Sequence, residues 1–248
     1  MKKKYLSLCV LGVMFLGAGC AASTNTTASS TATAMPPQPS PTAETKAHAV
    51  ILIKDDVTGA DLLGVTSVML TVDKVEAHST STGWVTLSTA VKQYDLLQLK
   101  ATGAAQLLAD ANLTPGTYDQ IRLDISQVMV TATGKTQAAK LPSNSLKIVG
   151  NLTLDAGQTS VATLDFILDK SLHLTGDGKY ILAPVVHLQT QDDASVQVDA
   201  NDHAMVSGGK VETDEQVCMD ENGNTAQGLE LPAKLNLDSQ GMIRRASN

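Results

Sequence analysis

The sequence predicts an all-β protein: an immunoglobulin- or prealbumin-like β-sandwich with one short connecting helix and a small β-rich C-terminal appendage. Three observations carry this. Short runs across residues 48–190 alternate apolar with polar residues, the period of strands that bury one face. Gly-, Pro- and Asp-containing turn signals fall between the runs. Aromatic residues make up only 3% of the chain, so the core must be built from Val, Leu and Ile.

Taken in order, Val68, Leu70 and Val72 alternate with Met69, Thr71 and Asp73. Ala104 to Ala111 reads as the connecting helix. Ile121, Leu123 and Ile125 alternate with Arg122 and Asp124, and Leu146, Ile148, Leu152 and Leu154 continue on either side of Gly150. Ala162, Leu164, Phe166 and Leu168 follow. Tyr180 to Leu188 is apolar on both phases, as in a central strand, with Pro184 marking an edge or bulge. Short strands separated by turns at this spacing suit two packed sheets. Residues 192–248 form an acidic, partly ordered appendage, read as a small module, extra strands or a loose tail.

The N-terminus has a different logic. Lys2, Lys3 and Lys4 precede an apolar run from Tyr5 to Leu16, then Gly17-Ala18-Gly19-Cys20. The apolar run is too short to span a bilayer as a helix of ~20 residues. This is the layout of a lipoprotein signal over residues 1–19, with Cys20 as the lipidated residue and Gly17 where a Leu is usual. Residues 20–47 read as a tether: of the 27 residues after Cys20, 22 are Ser, Thr, Ala or Pro, a composition that forms no core. The sandwich domain is expected over 48–191. The net charge of −7 becomes more negative once the signal is removed, which argues against nucleic acid as a partner. Cys9 leaves with the signal, so Cys218 is the remaining thiol and no intrachain disulfide is expected.

From about His48 to Gln191 the blocks also fall in the order of a known family. They are Ile53-Lys54-Asp55-Asp56, Val68 to His78, Gly83-Trp84-Val85, Tyr94-Asp95-Leu96-Leu97, Leu113 to Leu123, Asp165-Phe166 to His173, and Gly178-Lys179-Tyr180 to Val185. The chain resembles bacterial lipoproteins that carry the domain-of-unknown-function family 4382. That resemblance implies a sandwich on a lipid-anchored exported protein and implies no activity. At Val57 the family's Pro is absent.

No Gly-x-Ser-x-Gly, His-Glu-x-x-His or Cys-x-x-Cys motif is present, and Ser207-Gly208-Gly209-Lys210 lacks the spacing of a phosphate loop. His78 and His173 each end a strand block. With Asp169 or Asp177 they would form a transition-metal site if the strand ends meet; otherwise each packs at a sheet end. Asp55, Asp56 and Asp61 either suit calcium or form a solvated turn. Asp220-Glu221-Asn222-Gly223-Asn224 reads as a hairpin turn. Trp84 either caps the sandwich or faces a ligand.

The leading expectation is a non-enzymatic binding or structural module of the cell envelope, without a cofactor. It would be anchored through Cys20 to the cell membrane or outer membrane, with an envelope protein or polysaccharide as partner. The alternatives are a carbohydrate- or metal-binding sensor and a hydrolase with an unrecognised site.

Overall fold

The computed structural model describes residues 45–55, 62, 64–228 and 235–245. Cys20, the expected tether up to residue 44, Asp56, Val57 and Asp61 lie outside the described residues. The first strands are β1 (Ala47–Asp55), β2 (Val65–Ser79), β3 (Gly83–Ser88) and β4 (Lys92–Asp95), followed by helix α1 (Leu96–Thr102). Next come β5 (Ala105–Leu113), β6 (Gly116–Ala132), β7 (Lys135–Lys140), β8 (Ser145–Leu154), β9 (Thr159–Phe166) and the four-residue helix α2 (Leu168–Ser171). The chain continues with β10 (Leu172–Leu174), β11 (Tyr180–Leu182), β12 (Val185–Val198), β13 (His203–Met219), β14 (Thr225–Gln227), β15 (Leu235–Leu237) and β16 (Ile243–Arg245).

Two sheets face each other, as the alternation requires. One runs β10-β11-β7-β6-β2-β3, with β4 on β2 and β8 on β6. The other runs β12-β9-β1-β5-β13-β14. The inward positions of β2, β6 and β8, among them Val68, Leu70, Ile121, Leu123, Ile125, Leu146 and Ile148, join Ile51, Ile53, Leu164 and Phe166 in one aliphatic core. Each such side chain, taken fully out of water, contributes about 1.5–3 kcal/mol. Tyr118, Phe166 and Tyr180 are buried in it.

The second sheet also closes on itself, because β12 pairs with β13 as well as with β9. The ring β12-β9-β1-β5-β13 encloses a smaller core of Val50, Leu52, Val161, Ala194 and Ala204. Closure requires the long β12–β13 ribbon to bend back. The ribbon's register shifts between Thr190 and Gln191, and its left-handed residues sit together just beyond: Asp193 (φ 50°) lies between Asp192 and Ala194, which pair with Lys210 and Gly208 (φ 68°) on either side of Gly209 (φ 78°). A Cβ on Gly209 would sit 2.8 Å from the Asp192 carbonyl oxygen, so this position needs glycine both for its left-handed backbone and for its space.

Three expectations change. The segment read as a helix at Ala104 to Ala111 is strand β5, paired along its length with β1. Its Leu107 serves the small core and its Leu108 and Ala109 the large one, so burial on both faces erases the alternation. The connecting helix lies just upstream. Asp95 caps α1 at its N-terminus and Gly103 (φ 63°) at its C-terminus, and α2 is a second short helix. Pro184 marks no bulge within one strand; it stands between β11 in one sheet and β12 in the other. Residue 191 falls inside β12, and of the readings for the C-terminal residues, extra strands describe the part up to Gln227, where β12, β13 and β14 belong to the second sheet. The Asp220–Asn224 segment is the expected turn, with the Asp220 carboxylate accepting the Asn222 and Asn224 N–H groups.

Candidate functional site

A surface cleft of about 390 Å³ opens where α1, β4 and β5 meet the tip of the β12–β13 ribbon. Its polar wall carries Gln93 from β4, Gln98 from α1, Gln106 from β5 and His203 from β13; Met69 and Leu99 supply apolar surface. The tip is fixed by a short seam. His203 and Ala204 pair with Gln106 and Ala105, and the Leu107 N–H donates to the Asp202 carbonyl at 2.9 Å. Lys92 Nζ donates to Asp202 Oδ2 (2.7 Å) and to the Leu107 carbonyl (3.3 Å). The Asp95 carboxylate, also in the cleft, is already occupied. It accepts from the Ser67 hydroxyl and from the Val68, Leu97 and Gln98 N–H groups.

The glutamine amides are less engaged. Among the described residues, Gln98 and Gln106 have no side-chain hydrogen bond to protein, and Gln93 donates only a long 3.4 Å bond to Thr71. His203 Nδ1 faces Asp199 at 3.2 Å, which leaves Nε2 directed elsewhere. Sequence reasoning missed this site because its residues come from five elements, β2, β4, α1, β5 and β13, with no common spacing.

Trp84 does not cap the sandwich. Its strand neighbours Val85 and Leu87 pack on the large core, so Trp84 lies on the outer face of β3. There the Arg122 guanidinium sits 4.1 Å from its ring centroid and the His78 ring 5.0 Å away, a cation–π arrangement that occupies the face a ligand would use. Arg122 also pairs with Glu76, which Lys74 contacts at 3.2 Å. Burial pushes the Glu76 carboxyl up, but Arg122 and Lys74 outweigh it and hold it below the usual range.

The structure does not bring His78 and His173 together. His78 pairs opposite Gln120, near the start of β6. His173 reaches β6 only through β11 and β7, and β7 joins β6 at Met129 to Ala132. Nine residues of strand span ~30 Å. His78 Nδ1 instead meets Asp119 at 2.7 Å, and burial lowers the pKa of His173. Among the described residues no group of three His, Cys, Asp or Glu could hold a metal ion. Cys218 is buried.

The other unusual place is the C-terminal end of β1. Asp55 is 2% exposed. Its Oδ1 accepts a long bond, 3.5 Å, from the Leu168 N–H, so β1 caps α2, whose own N-cap residue Ile167 makes no side-chain cap. Asp55 Oδ2 and Lys100 Nζ are buried without a hydrogen-bond partner among the described residues. Burial pushes the Asp55 carboxyl up to about 7; the Leu168 N–H and Lys100 pull it down, while Asp165 and Asp169 push it further up. One Asp165 oxygen pairs with Lys54 at 2.8 Å. This arrangement makes Asp55 a proton-sensitive structural group at the edge of the core.

Comparison with known sequences finds one family model, described as a domain of unknown function (DUF4382), over residues 53–184. No curated protein matches, and no solved structure matches. The matched span contains Asp55, Lys100 and Asp165 and three walls of the cleft, while His203 lies beyond it. It covers more than half of the chain, and the protein therefore belongs to the DUF4382 family.

Proposed function

We propose that the protein is a lipid-anchored module of the cell envelope that works by non-covalent binding rather than by catalysis. The N-terminal sequence carries this reading: three lysines, the apolar Tyr5 to Leu16, small residues, Cys20, and then the Ser/Thr/Ala/Pro-rich stretch. A thiol at that position takes a diacylglycerol group. Each buried methylene contributes ~0.8 kcal/mol, so two or three acyl chains hold firmly where one is marginal. A Ser/Thr/Ala/Pro-rich composition forms no core, which suits a spacer between an anchor and a folded domain. The partner is an envelope protein or polysaccharide at the cell membrane or outer membrane, and the unengaged amides of the cleft support recognition as the domain's task.

Fractionation of cells carrying the wild type and Cys20→Ser tests the anchor. The wild type is expected in the membrane fraction, released only by detergent, and the variant in the soluble exported fraction. A Cys20→Ser protein that still sediments with membranes would overturn lipid attachment.

A further inference from the structure

The geometry points to the cleft between α1 and the ribbon tip as a carbohydrate site that takes a neutral, polyhydroxylated ring. This rests on the binding-module reading and names its ligand class. The wall chemistry sets the class. Each side-chain amide presents a donor pair and an acceptor, the complement of a hydroxyl group, which both donates and accepts. Among the described residues Gln98 and Gln106 spend neither on the protein, and they line the cleft from different elements, Gln98 from α1 and Gln106 from β5, where it pairs with His203. Charge in the cleft disfavours anions. Four neutral donors hold the Asp95 oxygens but leave its negative charge in the cleft, and among the described residues no Lys or Arg lines it, so a phosphate or carboxylate would find only His203, itself held against Asp199, as a counter-charge.

The apolar surface of Met69 and Leu99 suits the C–H face of a sugar ring. The volume, about 390 Å³, lies near the small end of ligand sites, which run from about 300 to 1,000 Å³, and admits one or two rings. The outer sheet face is the poorer place for a sugar, since Arg122 already covers Trp84. A ring in contact with both Gln106 and His203 would also span the seam that closes the second sheet.

The test is an NMR titration of the purified protein with neutral disaccharides (maltose, cellobiose and diacetylchitobiose), with glucuronic acid and glucose 6-phosphate as charged comparators. A neutral sugar is expected to shift the Gln98 and Gln106 side-chain amide signals saturably and to slow hydrogen exchange at the Leu107 N–H. Gln98→Ala/Gln106→Ala should bind it roughly tenfold or more weakly with unchanged thermal unfolding, because neither side chain bonds the protein. A hexasaccharide of the same sugar separates the sources: tighter binding identifies a polysaccharide, equal binding a free sugar or chain end, and either supports the site. If no neutral sugar perturbs these amides, if the charged comparators bind more tightly, or if the double variant binds as the wild type does, the assignment fails. Such a failure with Cys20-dependent membrane attachment intact leaves the envelope module standing. Membrane attachment independent of Cys20, with sugar binding intact, does the reverse.

Discussion

The two faces of β1 do different work. One, Ala47, Ala49, Ile51 and Ile53, belongs to the large core shared by both sheets. The other, Val50 and Leu52, meets a small cluster closed by the alanines Ala194 and Ala204 from the ribbon. The first face makes the sandwich; the second fastens the ribbon whose tip forms a wall of the cleft. Truncation should separate them. Ile51→Ala is expected to cost about 3–5 kcal/mol in one cooperative transition. Val50→Ala is expected to cost about 2 kcal/mol and to loosen the β13–β5 seam first. Denaturant unfolding read alongside amide exchange decides the matter: if Val50→Ala lowers protection evenly across both sheets, the two cores are one unit.

The large core carries a weakness of its own at Asp55, which follows Ile51 and Ile53 on the same face of β1. Its folded carboxyl titrates near 7 against an ordinary 3.8, so between these values the folded state binds the proton and the unfolded state does not. Stability must then fall as pH rises through this window and level off above it. At about 1.4 kcal/mol per pKa unit, the loss between about pH 5 and pH 8 is roughly 2–3 kcal/mol. Asp55→Asn keeps an acceptor for the Leu168 N–H and removes the titration, so the variant's melting temperature should lose this component of the pH dependence. Parallel pH profiles for variant and wild type would show that Asp55 is not the group responsible.

The contrast between the faces also explains what could be read from the sequence. The strands with one face in the large core, β2, β6 and β8, show their period directly at Val68-Leu70-Val72, Ile121-Leu123-Ile125 and Leu146-Ile148. Strand β5 hides it because Leu107 and Leu108 point into different cores. The true helix had its signals at Asp95 and Gly103, but the Ala- and Leu-rich run beside it has higher helix propensity, and pairing with β1 overrode that. Closure of the sheet depends on left-handed backbone at Asp193 and Gly209 and on the β5–β13 pairing of Gln106 with His203, neither of which leaves a local periodic trace. The cleft was illegible for the same reason: it exists only once the tip reaches β5.

That dependence makes the seam the finest test of the comparison. Lys92 and Asp202 are partly exposed, so their pair is worth under about 1 kcal/mol to global stability. Asp202→Asn removes the ion pair while keeping a side-chain acceptor for Lys92, and the residue 202 carbonyl still accepts from the Leu107 N–H. Lys92→Ala removes the ammonium from both Asp202 and the Leu107 carbonyl. If the tip is held mainly by the small core, both variants should unfold close to the wild-type midpoint. Lys92→Ala should then exchange the Leu107 N–H several-fold faster and Asp202→Asn less so. If Lys92→Ala instead shifts the global midpoint as far as Val50→Ala does, the seam carries the closure and the small core beneath the ribbon is secondary. Because the cleft lies over this seam, the same variant reports whether the wall bearing His203 is held by packing from within or by the ion pair at its rim.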